Sequence, residues 1–155
     1  MTEEQALSKL ASECSRSEHC TGEMADKLRR WGFDETVQAR IIAYLVEHRY
    51  VDDSRYAEIF IREKMKFNHW GPRKIEQALW GKRVDEDVYR PVLRAVSREE
   101  WVAILCPMLR SKARSVKAAT AYEQRMKLMR FAVGRGFTMD VIEEALSEYA
   151  EHTEK

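Results

Sequence analysis

Residues that break helices or cross-link a chain are scarce in this sequence. Its 155 residues include three cysteines, three prolines and six glycines, and its longest apolar runs, such as Ile41 to Val46, are six residues. A helix that crosses a bilayer needs about 20 apolar residues, so no such helix is indicated. The first ten residues, MTEEQALSKL, have neither the basic stretch nor the apolar stretch of a secretion signal. We therefore predict a cytoplasmic protein without a membrane partner.

The small number of cysteines also argues against two kinds of site. Cys14, Cys20 and Cys106 lack CxxC spacing and are odd in number, which disfavours a disulfide framework. His19 beside Cys20 is the one pairing that suggests a metal, but a zinc site needs about four ligands and no second pair exists. Glycine-rich nucleotide loops and the HExxH motif are missing as well. We predict no catalytic residue, no metal, no cofactor and no enzymatic activity.

Apolar residues recur at three- and four-residue spacing along the chain, which is the period of an α-helix. Thr2 and Gln5 form a capping-box pattern at the start of the first helix, and Ser97 and Glu100 form another. Asp34 is placed to cap a helix as well. Few segments alternate with the two-residue period of a strand. The predicted fold class is therefore all-α.

The apolar pattern occurs three times. Phe33, Val84 and Phe137 hold the same place in it, separated by 51 and 53 positions. Positions four, eight and nine residues later, and five and nine residues earlier, are apolar in every copy. A unit of about fifty residues is too small to bury a sizeable core alone, so the units should either stack or form a string of small helical modules. We predict three tandem three-helix units, at 1–50, 51–96 and 97–155, that form an elongated, curved body.

The formal net charge of +1 hides an uneven distribution of charge. Residues 1–50 hold 7 basic and 9 acidic residues, residues 62–83 hold 7 and 2, and residues 110–135 hold 8 and 1. Such clusters are typical of a surface that binds phosphate or an acidic protein, and also of a solvated helix face. Three aromatic residues near these clusters could stack on exposed bases: Trp70, Trp80 and Tyr122.

One segment resembles a known family. Residues 50–62, YVDDSRYAEIFIR, are similar to the signature of the RecX family of bacterial recombination regulators. The resemblance continues from Gly71 to Val84, and shorter stretches around Phe33 and Phe137 are similar to the family's first and third units. Arg83 stands where the family tends to have glycine, so we expect the turn of the second unit to differ. We also expect two prolines to interrupt helices: Pro91 and Pro107.

The resemblance implies a regulatory protein that binds the RecA recombinase on its DNA filament. Such a protein would limit filament growth or ATP turnover in DNA repair, recombination and the SOS response. It would be all-helical, and we expect it to act as a monomer without catalysis. We assign contacts with RecA or DNA to basic residues of the two clusters: Arg62, Lys66, Arg73, Lys74, Arg83, Arg110, Lys112, Arg114, Lys117, Arg125, Lys127 and Arg130.

The signature residues are interpreted as mainly structural. Asp52 or Asp53 is expected to cap a helix, although two adjacent carboxylates could also bind a cation. We expect Arg55 to pair with an acidic neighbour, and Tyr56 and Phe60 to pack between helices.

Two other functions remain open. Residues 73–93 read as helix, turn, helix, so the chain could bind single- or double-stranded DNA by itself. Against this, the second of these helices begins with acidic residues. A helical scaffold for another protein is the third possibility.

Overall fold

The chain is built from α-helices. The computed structural model describes the backbone of residues 1–153 and the side chains of residues 1–151; within that part it forms nine α-helices, one π-helical turn and no strand. The helices are α1 (Glu3–Arg16), α2 (Thr21–Arg30), α3 (Glu35–Glu47), α4 (Asp53–Glu63), α5 (Pro72–Gly81), α6 (Glu86–Arg94), α7 (Arg98–Ser115), α8 (Ala121–Gly134) and α9 (Met139–Thr153). The π-turn, Lys64–Asn68, lies between α4 and α5. The predicted all-α fold of tandem three-helix repeats is confirmed.

Short-range side-chain hydrogen bonds start several helices. The Thr2 hydroxyl accepts from the Gln5 backbone N–H at 3.1 Å, and the Gln5 side chain accepts from the Thr2 N–H at 2.8 Å. Ser97 and Glu100 exchange the same two bonds at the start of α7. Asp34 caps α3 at 2.9 Å. These bonds satisfy N–H groups that have no partner inside the helix, and they confirm the predicted caps.

The same turn ends the second helix of each repeat. One backbone N–H donates to the carbonyl five residues earlier, at 3.1, 3.1 and 3.2 Å, from Phe33, Val84 and Phe137. The preceding residue is left-handed each time, with φ of +88° at Gly32, +59° at Arg83 and +95° at Gly136. This is the Schellman arrangement, which usually takes glycine. Arg83 adopts it at a cost of about 1–2 kcal/mol, so the expectation of a different turn is wrong.

The helices that contain proline are not interrupted. Pro91 lies within α6 and Pro107 within α7, and both helices continue past them. Each proline removes one N–H donor from its helix. Pro107 and Ala103, whose carbonyl loses that donor, are both exposed, so water can hydrogen-bond to this carbonyl. The expected interruption of α6 and α7 is therefore wrong.

The chain packs as two compact units, and the second repeat is divided between them. Unit 1 contains Met1–Phe60 and Leu79–Arg90, and unit 2 contains Ile61–Ala78 and the chain from Pro91 onward. A cluster that comes mainly from the first repeat fills the core of unit 1: Ala6, Leu10, Met24, Leu28, Ile41, Leu45 and Val51. In unit 2, α7 packs mainly against α9, and its core includes Trp101, Leu105, Leu109, Leu128, Phe137 and Ile142. No helix within residues 1–153 has both the length and the apolar character that crossing a membrane requires.

Candidate functional site

Unit 2 carries an open trough along one face of α7, here named the α7 trough. Its volume is about 1040 Å³. The α7 residues that line it recur every three or four positions: Glu100, Ala103, Ile104, Pro107, Met108, Ser111, Lys112 and Ser115. At 1.5 Å per residue, this stripe is about 22 Å long. The remaining lining residues come from the end of α4, from the π-turn and its following residue, and from α8 and its following residue.

The lining of the α7 trough combines apolar and basic side chains. Ile104, Met108 and Phe131 are half-buried, and they leave part of their apolar surface open to the trough. Among the described residues, the lining also holds four Lys or Arg side chains and one carboxylate, that of Glu100. The basic members are Arg62, Lys66, Lys112 and Arg135. A surface of this kind suits an anionic ligand that also presents apolar groups.

Two of the basic groups share one aromatic ring. The Lys112 ammonium and the Arg135 guanidinium each lie 5.2 Å from the centroid of the Phe131 ring. Neither forms an ion pair among the described residues, whereas Arg62 lies 3.4 Å from Glu100. Both positive charges lie near the same ring, so an anion close to this ring would be attracted by both. Lys112 and Arg135 are therefore available to a ligand.

The π-turn supplies two of the residues that line the trough, Met65 and Lys66. A π-helical turn adds a residue to the helical period and is frequent at functional sites. Phe67 is 68% exposed, and the Lys66 ammonium lies 5.3 Å from its ring. His69 follows the turn and has a φ of +55°. The left-handed backbone at His69 brings the chain out of the helix beside the trough.

The structure separates the predicted contact residues. Arg62, Lys66 and Lys112 line the α7 trough. Arg73 and Lys74 lie at the start of α5, where the Lys74 ammonium is 4.9 Å from the Trp70 ring. The other predicted residues of unit 2 lie outside the trough lining: Arg110, Arg114, Lys117, Arg125, Lys127 and Arg130. Of these, Lys127 pairs with Glu123 at 3.2 Å and donates to the carbonyl of Lys117 at 2.5 Å.

Arg83 lies in unit 1 and already has partners there. Its guanidinium donates to the Gly22 carbonyl at 2.9 Å and to the Asp26 carboxylate at 2.7 Å. The hydrogen bond from Arg83 holds the pKa of Asp26 below its usual range. These contacts favour a structural role for Arg83 over contact with a partner.

Sequence reasoning missed Arg135 and the apolar lining of the trough. Arg135 follows α8 and belongs to the basic cluster at residues 110–135, but it is not among the predicted contact residues. The sequence of α7 could have indicated the apolar lining, because its apolar residues cover more of the helix surface than the face that packs in the core. Trp101 and Leu105 point to the core, whereas Ile104 and Met108 line the trough. An amphipathic helix with two apolar faces indicates a second packing partner.

Both carboxylates of the signature accept hydrogen bonds, each at the start of a different helix. Asp52 accepts from the Arg55 N–H at 3.0 Å and caps α4. Asp53 accepts from the backbone N–H of Thr21 at 2.8 Å and from its hydroxyl at 2.7 Å, at the start of α2. Arg55 pairs with Glu18 at 2.8 Å. Among the described residues, no group of three or more His, Cys, Asp or Glu side chains converges to hold a metal.

Tyr56 lies near Glu23 and Cys20, which form a small polar cluster. Burial raises the pKa of its hydroxyl, and burial also raises the pKa of Cys20 to about 11. Glu23 accepts from the Cys20 N–H at 3.3 Å and lies 3.7 Å from the Lys82 ammonium. Burial by itself would raise the pKa of Glu23, but the Cys20 bond and the Lys82 charge lower it. Tyr56 also stacks on Phe60 within α4, with ring centroids 5.7 Å apart.

Three family models match the chain in order. They describe the first three-helix domain of RecX at residues 14–45, the second at 52–93 and the third at 98–146. The chain belongs to the RecX family. This membership explains why the motif at 50–62 and the three similar turns occur together.

Individual RecX proteins agree with the family match. A protein named Regulatory protein RecX from Vibrio parahaemolyticus is 34% identical over 133 residues, which cover 86% of this chain and 84% of that protein. One from Clostridium botulinum is 29% identical over 128 residues, and the match spans 59% of its length. The crystal structure of RecX from Lactobacillus salivarius superposes with a TM-score of 0.86 at 21% identity, over 94% of this chain and 95% of that one. This likeness shows the shared fold.

Proposed function

We propose that this chain is a regulatory protein that binds the RecA recombinase on its DNA filament and limits its activity. The observation that carries the proposal is the ordered match of all three RecX domains. The relatives are named regulatory proteins, and the resemblance of the signature to the RecX family implies RecA as the partner.

The proposed action is binding without catalysis. Unit 2 presents unpaired basic groups at Arg73, Lys112 and Arg135, none of which forms an ion pair within the described chain, and filament-forming partners offer many identical binding sites. Several weak contacts made by one linked chain increase the overall affinity, because each later contact is intramolecular. A regulator of this kind needs neither a cofactor nor a catalytic residue.

The test is the rate of ATP hydrolysis by the cognate RecA on single-stranded DNA, titrated with this protein at fixed salt. We expect suppression at well below one protein per RecA, because blocking a filament affects many subunits. An unchanged rate at excess folded protein would contradict the proposal. Circular dichroism of the same sample confirms that the protein is folded.

Two exposed aromatic residues favour a second candidate function, direct binding of single-stranded DNA. Trp80 is 71% exposed in unit 1, and Tyr122 is 72% exposed in unit 2. Exposed rings beside basic residues can stack on bases. Fluorescence anisotropy of a labelled oligonucleotide without RecA tests this function. Binding that weakens in Trp80→Ala or Tyr122→Ala, and weakens steeply with salt, would support it.

A further inference from the structure

The α7 trough has the dimensions of a helix-binding groove. Its stripe on α7 is about 22 Å long, which matches about four turns of a second helix. It is open along one side, unlike a cavity that encloses a small molecule. A helix laid in such a groove places one residue in every three or four against the floor.

The floor of the trough is adaptable and apolar. Met65 and Met108 are unbranched and polarizable, so they can adjust to different side chains. Ile104 and Phe131 complete the floor, and Pro107 of α7, which also lines the trough, is exposed. A bound helix would therefore need apolar residues on the face that meets α7.

The charges around the floor select the polar face of the ligand. Lys66, Lys112 and Arg135 form no ion pair among the described residues, and the one carboxylate of the lining, Glu100, is already beside Arg62. An acidic ligand would be attracted by these groups, and a basic one would be repelled.

A nucleic acid fits this trough less well than a peptide. Single-stranded nucleic acids use exposed aromatic faces for stacking. The Phe131 ring is half-buried and lies against both Lys112 and Arg135, and the strongly exposed Tyr122 does not line the trough. The apolar floor would face a sugar-phosphate backbone without matching it.

We propose that the α7 trough binds an acidic amphipathic helix of the partner protein. Apolar residues of that helix would contact Ile104, Met108 and Phe131, and its carboxylates would pair with Lys112 and Arg135. The identity of the partner as RecA rests on the function proposed above, whereas the chemistry of the ligand rests on the trough.

The direct test uses the full chain and a fluorescent synthetic peptide. The peptide is a helix of about four turns with leucine at helical spacing and glutamate at the other positions. We expect saturable binding that weakens as salt increases. A peptide with lysine in place of glutamate, and one with serine in place of leucine, should both bind at least about tenfold more weakly.

Variants locate the binding on the protein. Lys112→Glu should weaken the acidic peptide about tenfold, and Met108→Ser should weaken it several-fold. The matched control is Arg110→Glu, which makes the same charge change on α7 at an exposed position outside the trough. Thermal unfolding of each variant separates lost binding from lost folding. If Lys112→Glu melts early, Lys66→Glu at the exposed rim replaces it.

The outcomes separate this inference from the proposed function. If Lys112→Glu and Arg110→Glu bind the acidic peptide equally, the trough is not the site and the inference is wrong. If an oligonucleotide displaces the peptide and shows the same dependence on Lys112, the trough binds nucleic acid and the inference is also wrong. If the peptide binds as expected while RecA hydrolysis is unaffected, the inference holds and the proposed function fails.

Discussion

The turns that follow α5 and α8 occupy equivalent places in their repeats, and each packs against the start of an earlier helix in its own unit. In unit 1 the turn meets Gly22, where an added Cβ would lie 2.1 Å from the Lys82 carbonyl oxygen. In unit 2 the turn meets Gly71, where an added Cβ would lie 2.4 Å from the Gly136 carbonyl carbon. Both contacts need glycine because backbone meets backbone.

Side chains secure the turn in unit 1. Arg83 donates to the Gly22 carbonyl and to Asp26, and Lys82 pairs with Glu23. These bonds connect residues about sixty positions apart. The basic residues of this turn are therefore used to hold the first and second repeats together.

Backbone groups secure the turn in unit 2. The Gly71 N–H donates to the Arg135 carbonyl at 2.7 Å, and the Arg73 N–H donates to the Gly136 carbonyl at 2.9 Å. The side chains of Arg73 and Arg135 form no ion pair within the described chain. The equivalent turn therefore leaves basic side chains available to a partner in unit 2, whereas in unit 1 it uses them for contacts within the unit.

The largest expected effect breaks the turn of unit 2. Gly136→Ala puts a Cβ 2.5 Å from the Lys74 backbone nitrogen at a φ of +95°. We expect it to lower the free energy of unfolding by about 2–4 kcal/mol, measured by urea denaturation. Gly134→Ala is the control, since nothing lies within 4 Å of its added Cβ. Equal stability of the two variants would show that the close contact is not needed.

A smaller loss of stability is expected when the hydrogen bonds from Thr21 to the Asp53 carboxylate, which connect two repeats in unit 1, are removed. Asp53→Ala leaves the first N–H of α2 and the Thr21 hydroxyl without their acceptor. We expect the free energy of unfolding to fall by about 1–2 kcal/mol. Ser54→Ala, at the exposed neighbouring position, should change it by less than about 0.5 kcal/mol. A loss for Asp53→Ala no larger than that of Ser54→Ala would contradict the role given to this carboxylate.

Charge reversal in unit 2 should affect regulation more than stability. Arg73→Glu is expected to raise the protein concentration that half-inhibits RecA by about three- to tenfold, while the melting temperature stays close to that of the parent. Arg94→Glu, an exposed change outside both basic clusters, is the control. Inhibition by Arg73→Glu at the parent concentration would remove Arg73 from the proposed contact surface.

The smallest expected effect is on the stability of the protein at low pH. Because Arg83 lowers the pKa of Asp26 in the folded protein, the stability from this pair is present above the unfolded pKa and is lost as pH falls through the folded pKa. Melting temperatures between about pH 5 and pH 2 should therefore fall less in Arg83→Ala than in the parent. An Arg94→Ala variant should keep the parent's slope. Parallel curves for Arg83→Ala and the parent would contradict the pairing.

Much of the fold was predictable because its signals are local. The caps at Thr2, Asp34 and Ser97 use hydrogen bonds that span three residues, and amphipathic periodicity locates the helices between them. Arg83 misled the prediction of its turn, because a residue's preference for φ is weaker than the packing that holds the turn. The site was harder to predict, since a basic residue in a helix has the same local pattern whether or not an acid lies near it.

The sequence by itself determined the helices, their caps, the turns at Gly32 and Gly136 and the family signature, because each depends on neighbours within a few positions or on a repeated spacing. Only the tertiary structure decided how basic groups are used. Lys82 and Arg135 hold equivalent places in the repeat, yet Lys82 faces Glu23 and Arg135 faces Phe131 in the α7 trough. Ion pairs form between residues far apart in the chain, so their partners are set by packing.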